Sequence, residues 1–317
     1  MRVASRAMTS LICSLGRLTA FPCVMFGWLI ASPTPVRASV EAALCVPSHT
    51  TSAEVRRTTL DGVPAIVRVP QHISRPPIVL WHGFGPPASE AAMMDALPLD
   101  DVPAVKVYLG LPLFGARALP GGMKELAQRQ AQDMGLQVFK PVVVGAGDEL
   151  PRVARALEQQ GCLQLHQPIG LVGFSAGGAA ALYAMSRHQV TVDAAVLINP
   201  STGLTASVQA FEQATGHAYA WSPASRELAQ QTDAVKHAGD IAHGTPAPAL
   251  LFLQGADDSV IDAHALADLD EGLKPLYRDQ AQRLQFTRLS GVPHQWASDP
   301  QGVARVRQAV AAWFIGH

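Results

Sequence analysis

Ser175 stands in the run Gly173-Phe174-Ser175-Ala176-Gly177-Gly178, preceded by the apolar stretch Ile169-Gly170-Leu171-Val172 and followed by Ala179-Ala180-Ala181-Leu182. This order reads as a buried strand that turns sharply into a helix with a serine at its apex, the form of a nucleophile elbow. Backbone at such an apex is strained, so the positions two before and two after it must lack bulk, and Gly173 and Gly177 meet that need. The alanine-rich run beyond is a good helix former. A helix starting beneath the serine offers unpaired N–H groups and a positive dipole end to a carbonyl oxygen under attack. The chemistry within reach of these residues is acyl transfer by a serine nucleophile.

Small residues around a serine recur by chance in a chain this rich in Ala and Gly, so the serine needs partners. Three other segments supply candidates. Pro77-Ile78-Val79-Leu80-Trp81-His82-Gly83-Phe84-Gly85 is an apolar strand ending in a His-Gly loop, upstream where a second oxyanion donor belongs. Ala249-Leu250-Leu251-Phe252-Leu253-Gln254-Gly255-Ala256-Asp257-Asp258 is another, ending in two carboxylates. Leu289-Ser290-Gly291-Val292-Pro293-His294 closes a later strand with a histidine in a turn-rich loop.

These four segments, in the order serine, aspartate, histidine, resemble the α/β-hydrolase superfamily, and the resemblance covers about residues 60 to 315. Serine esterases and lipases, dienelactone hydrolases and the catalytic domains of prolyl oligopeptidases all belong to it. It implies an α/β fold with a mostly parallel central sheet, helices on both faces and a small helical cap insertion. In the superfamily the acid usually stands three residues after the glycine closing its strand, which selects Asp258 over Asp257. Some members carry the acid one strand earlier. Here the corresponding segment, Val192 to Thr202, offers no carboxylate, and the neutral Asn199 could orient an imidazole but not stabilise an imidazolium. The resemblance thus implies Ser175 as nucleophile, His294 as base, Asp258 as acid, and the backbone N–H groups of Phe84 and Ala176 as the oxyanion hole.

The elements that must position these residues alternate as strand and helix, the pattern of a parallel-dominated sheet covered on both faces. Thr58 to Val69, with Asp61-Gly62 between apolar runs, predicts an early hairpin. Strands are expected over Pro77 to Trp81, Ala104 to Leu111, Val192 to Ile198 and Gln285 to Leu289. Helices are expected over Gly121 to Met134, Asp148 to Gln160, from the elbow to about His188, over parts of Asp262 to Leu284, and over Gly302 to Phe314. Residues 203–245 break the alternation: helix-like, rich in Ala and Gln, with Trp221-Ser222-Pro223 as punctuation and no strand signal. An insertion at this point of an α/β-hydrolase commonly forms a cap, and Trp221 is the candidate substrate-binding residue, with Phe211 and Tyr219 as further aromatic wall. Ordinary packing explains aromatics equally well.

The 317 residues are 48% hydrophobic and 15% charged, ample for a buried core and unlike a disordered chain. A formal net charge of −1 without a dense basic tract gives a nucleic-acid partner no electrostatic support. His188, His217, His237, His243 and His264 show no HExxH spacing and no cysteine cluster, so no metal is expected. Gly83-Phe84-Gly85-Pro86-Pro87 has proline where a phosphate loop needs amides, and no other cofactor is expected. His82 is read as shaping the oxyanion loop, since a triad needs one base and His294 fills that place.

Residues 1–38 read as a signal peptide, with residues 39–317 as the hydrolase domain. Arg2, Arg6 and Arg17 flank or precede an apolar stretch from Leu18 to Ala31, no acid precedes Glu41, and Val36-Arg37-Ala38 supplies small residues for cleavage. The competing readings are a membrane anchor, for which a stretch broken by Pro22 is short, and a start at Met8 or Met25. Cleavage removes four arginines, leaving 20 basic against 25 acidic residues, a net −5, and leaves Cys45 and Cys162. An even pair in an oxidising compartment is open to two readings, a bridge or two separate buried thiols. The chain is therefore expected to be an exported, periplasmic or secreted serine hydrolase acting on small-molecule carboxylic esters, without a stable membrane anchor. A serine peptidase of the prolyl oligopeptidase type stays open as an alternative, although no repeats for the usual propeller domain occur; so does a non-catalytic binding protein on the same fold.

Overall fold

In the computed structural model, residues 44–47 and 53–317 are described. The expected signal segment lies outside them. Among them no helix is long and apolar enough to cross a membrane. The chain opens with β1 (Glu54–Leu60) and β2 (Val63–Val69), an antiparallel hairpin. Its turn is Asp61-Gly62, both with positive φ (46° and 80°), the backbone a tight hairpin turn demands. Then follow β3 (Ile78–Trp81), α1 (Glu90–Ala96), β4 (Lys106–Leu109), α2 (Gly122–Asp133), α3 (Gly145–Gln159), β5 (Ile169–Phe174), α4 (Ala176–Ser186) and β6 (Val192–Ile198). The second half holds α5 (Leu204–Thr215), α6 (Pro223–Thr232), α7 (Ala238–Ile241), β7 (Ala249–Asp257), α8 (Ala263–Leu273), β8 (Leu284–Pro293) and α9 (Pro300–Gly316).

The eight strands form one open sheet in the order β1-β2-β4-β3-β5-β6-β7-β8. From β4 to β8 every neighbouring pair is parallel, while β1–β2 and β2–β4 are antiparallel. A parallel strand is covered on both faces, so its sequence is apolar throughout. Accordingly β3 and β5 are buried at every position. Two cores result, one on each face, with Val79, Leu171 and Leu197 pointing into one and Leu80, Val172 and Val196 into the other. Because β5, β7 and β8 run the same way, the residues after their carboxyl ends emerge at one edge of the sheet.

Two features depart from the expected elements. Residues 134–147, between the two expected helices, are themselves helical: Met134–Val144 is a π-helical stretch leading directly into α3. Its apolar side chains Val138, Phe139, Val142 and Val143 are buried, so tertiary burial outweighs the low helix propensity of its valines and of Pro141. The last strand also reaches Pro293, carrying its end to the residue before His294. Residues 203–245 contain the three helices α5, α6 and α7 and no strand. Ser222 opens α6 with a capping box and Pro223 occupies its first turn. Cys45 and Cys162 form a disulfide, with Cα atoms 5.0 Å apart across a sequence separation of 117. This bridge ties the segment before β1 to the turn after α3.

Candidate active site

The elbow is built by close approach. A Cβ on Gly173 would stand 2.4 Å from the Gly177 carbonyl oxygen, and one on Gly177 would stand 2.4 Å from that of His82. Neither contact can be relieved, because both partners are backbone. Ser175 itself is held at φ 53° and ψ −114°, outside the broad regions open to L-residues. It precedes the first residue of α4, yet its hydroxyl caps no helix amide, and so it is available to another partner.

That partner is His294. The Ser175 hydroxyl donates to His294 Nε2 at 3.0 Å, and His294 Nδ1–H donates to Asp258 Oδ2 at 2.9 Å. The carboxylate takes three further hydrogen bonds: the amides of Val260 and Ile261 reach Oδ1 at 2.8 and 3.0 Å, and Gln254 Nε2 reaches Oδ2 at 3.0 Å. Burial of Asp258 opposes ionisation, but its hydrogen bond and charge interaction with His294, together with the two amides, hold its carboxyl below the usual aspartate range. Asp258 therefore remains an anion beside the imidazole. Asp257 is exposed and ends β7, where it pairs with Pro293 of β8, and the carboxylate that meets His294 is that of Asp258.

The other side of Ser175 is formed by the loop after β3. Its Gly83 lies so close that a Cβ there would stand 3.0 Å from that of Ser175, its amide closes onto the Pro87 carbonyl at 3.2 Å, and the Phe84 ring stacks on Phe114 with centroids 4.9 Å apart. Ala176 is the first residue of α4, so its N–H has no partner within the helix. His82 is fully buried. Its Nε2 accepts the Leu111 amide at 3.2 Å and its Nδ1 donates to the Gly83 carbonyl at 2.8 Å. With one ring nitrogen accepting and the other donating, the imidazole is neutral; burial lowers its pKa against the opposing effects of the Gly83 bond and the Glu90 charge. His82 is thus a strut between the loop after β3 and the end of β4.

Trp221 makes its ring contacts within its own segment. It packs edge-to-face on Tyr219 at 5.0 Å with the Arg226 guanidinium 5.9 Å from its ring centre. Among the described residues no hydrogen bond or ring contact joins it to Ser175, His294 or Phe84. Tyr219 in turn bonds Asp133 at the start of the π-helical stretch, which anchors this part of the 203–245 segment to the body of the fold. Sequence reasoning did not single out Gln254. A glutamine in a buried strand four residues before the acid is the available signal, and it is a weak one.

The arrangement can deprotonate a serine hydroxyl, stabilise the resulting imidazolium, and donate N–H groups to an oxyanion. Comparison with known proteins agrees with its fold. The sequence pattern described as "Prolyl oligopeptidase family" matches residues 147–317, more than half of the chain and the part that carries Ser175, Asp258 and His294. Among solved structures, TT1662 from Thermus thermophilus superposes with a TM-score of 0.63 at 19% identity, over 83% of this chain and 98% of that one. Dipeptidyl peptidase 4 of Porphyromonas gingivalis gives 0.57 at 15% identity, over 84% of this chain but only 35% of its own. The Pyrococcus furiosus esterase Pf2001 gives 0.54 at 12% identity, over 85% and 98%. No curated protein matches the chain in sequence. The chain thus belongs to the prolyl oligopeptidase family and is a serine hydrolase of the α/β-hydrolase superfamily.

Proposed function

We propose that this protein is an exported esterase that cleaves small carboxylic esters through an acyl-enzyme, with Ser175 as nucleophile, His294 as general base and Asp258 as acid. The hydrogen-bonded series from Ser175 Oγ through His294 to Asp258 carries the reading. Ser175 Oγ attacks the ester carbonyl carbon as His294 Nε2 takes its proton. The oxygen that gains negative charge receives the N–H groups of Phe84 and Ala176. As the tetrahedral species collapses, Nε2 returns the proton to the leaving alcohol and the acyl group remains on Ser175. Water then repeats the sequence and releases the acid. Asp258 holds the Nδ1–H tautomer throughout.

The ester reading follows from the sequence resemblance to serine esterases, and the P. furiosus esterase shares the fold over 98% of its own length. The family itself favours a second reading, peptide hydrolysis at the same serine. Screening purified protein against p-nitrophenyl esters of graded chain length and aminoacyl p-nitroanilides separates the two: the ester reading expects turnover of the esters, and preferential turnover of the anilides would replace it with the peptidase reading. A fluorophosphonate probe that labels the native protein but not Ser175→Ala supports the nucleophile assignment. Labelling undiminished in the variant would overturn it, and no labelling of native protein would favour a non-catalytic binder.

Export is supported by the Cys45–Cys162 disulfide, a bond that persists in oxidising compartments. N-terminal sequencing of periplasmic or secreted protein should begin at or near Ser39. An intact Met1 on membrane-bound protein would favour an anchor.

A further inference from the structure

The end of β6 carries none of the three proposed catalytic groups, yet it touches the backbone of all three segments that do. The Ile198 carbonyl accepts the Ser175 amide at 3.0 Å, and the Ser201 amide donates back to the Ser175 carbonyl at 3.3 Å. Between them stands Asn199, fully buried, its backbone amide bonded to the Leu253 carbonyl of β7 at 2.8 Å. Its side chain makes three more bonds. Oδ1 accepts the Gly255 amide of β7 at 2.7 Å, and Nδ2 donates to the carbonyls of Pro293 and His294 at 3.1 and 3.0 Å.

We propose that Asn199 is a positioning residue, a three-point clamp that sets the base loop and the acid strand in register with the elbow. It does not touch the imidazole; it acts on the backbone from which the imidazole and the carboxylate hang. Both donor hydrogens of the amide are used on carbonyls and its oxygen on an N–H, a pattern that only an Asn or Gln head group can supply. The residue also sits at φ 42°, left-handed backbone that Asn tolerates better than other non-glycine residues. An aspartate would point a second oxygen at two carbonyl oxygens. An apolar side chain would leave one buried amide and two buried carbonyls without this partner, and each such group is costly. Shifting the His294 loop by even about an ångström would misalign the imidazole with Ser175 and Asp258.

The inference rests on the catalytic reading of Ser175, His294 and Asp258, so the experiment first establishes fluorophosphonate labelling of Ser175 in native protein. Asn199→Gly removes all three side-chain bonds while accepting the left-handed backbone. Asn199→Asp keeps the size and the bond to Gly255 but loses the two donors. Val153→Ala, in the buried face of α3 away from these loops, serves as the control for general destabilisation. Both Asn199 variants should lower kcat for a p-nitrophenyl ester about 100-fold with KM within about threefold, the cost of ångström-scale misplacement of reacting groups. They should also shift or abolish the low-field proton resonance of His294 Nδ1–H. The control should leave kcat and the resonance unchanged at a similar loss of melting temperature. Folded Asn199 variants with kcat within threefold of native would overturn the clamp while leaving the labelled Ser175 standing. Equal loss of kcat in Val153→Ala would overturn it as well. Failure of native protein to label would remove the catalytic reading and the clamp together. Should Asn199→Gly not fold, Asn199→Asp alone decides.

Discussion

Gln254 Nε2 and His294 Nδ1 donate to the same atom, Oδ2 of Asp258, at 3.0 and 2.9 Å. Gln254 is 9% exposed, and its other amide atom, Oε1, is buried with no hydrogen-bond partner among the described residues. The side chain is therefore oriented for its donor at the expense of its acceptor. A hydrogen bond to a charged group is worth roughly 1.5 to 3 kcal/mol. Gln254→Met should weaken the ionised carboxylate and lower kcat by about 10-fold, whereas Gln254→Glu, which sets a second acid against Asp258, should cost more. Steady-state kinetics of the two variants checks the ranking.

The acid itself is tested by paired substitutions. Asp258→Asn should reduce kcat by on the order of 10² to 10⁴, because an amide cannot stabilise the imidazolium. Asp257→Asn, at an exposed position, should cost little. The reverse ranking would move the acid to Asp257.

Lys106 gives the stability a pH dependence. It lies fully buried on β4, with Nζ donating to the Val102 carbonyl at 3.0 Å. Burial, reinforced by Arg68 and opposed by Asp100 and Asp101, pushes its pKa down to about 8. The unfolded chain then holds this proton more tightly than the folded one, so the cost of the buried charge is fully present below pH 8 and is relieved as pH rises from there toward 10.5. A shift of this size corresponds to about 3 kcal/mol. Lys106→Met should be more stable than native by roughly 2 kcal/mol at pH 7, once the lost Nζ bond is allowed for. The advantage should shrink between pH 8 and 10, as read from urea unfolding at each pH; an advantage independent of pH would contradict the assignment.

Trp221 is proposed as part of the substrate pocket. If it lines an acyl site, Trp221→Ala opens room, and bulkier esters should gain on acetyl esters in kcat/KM by about 10-fold, for roughly 1 to 2 kcal/mol of altered contact. Its contacts with Tyr219 and Arg226 offer another outcome, a uniform loss across chain lengths, which would make it a packing residue of the 203–245 segment.

What could be read from the sequence alone is what short-range physics dictates. Gly173 must lack a side chain because a Cβ would meet the backbone of Gly177 and Gly178 a few residues on, and the apolar runs of β3, β5 and β7 reflect burial on both faces. The hairpin at Asp61-Gly62, the serine elbow and the helical character of residues 203–245 follow from the same local signals. The tertiary structure decided what depends on residues far apart in the chain. Asn199 meets His294 across 95 positions and Gly255 across 56, and no periodicity encodes which carbonyl an amide will find. The bridge between Cys45 and Cys162 spans 117 positions, and only the tertiary fold brings their Cα atoms to 5.0 Å. The π-helical stretch Met134–Val144 is of the same kind: its valines and proline disfavour a helix locally, and burial in the assembled core outweighs that preference.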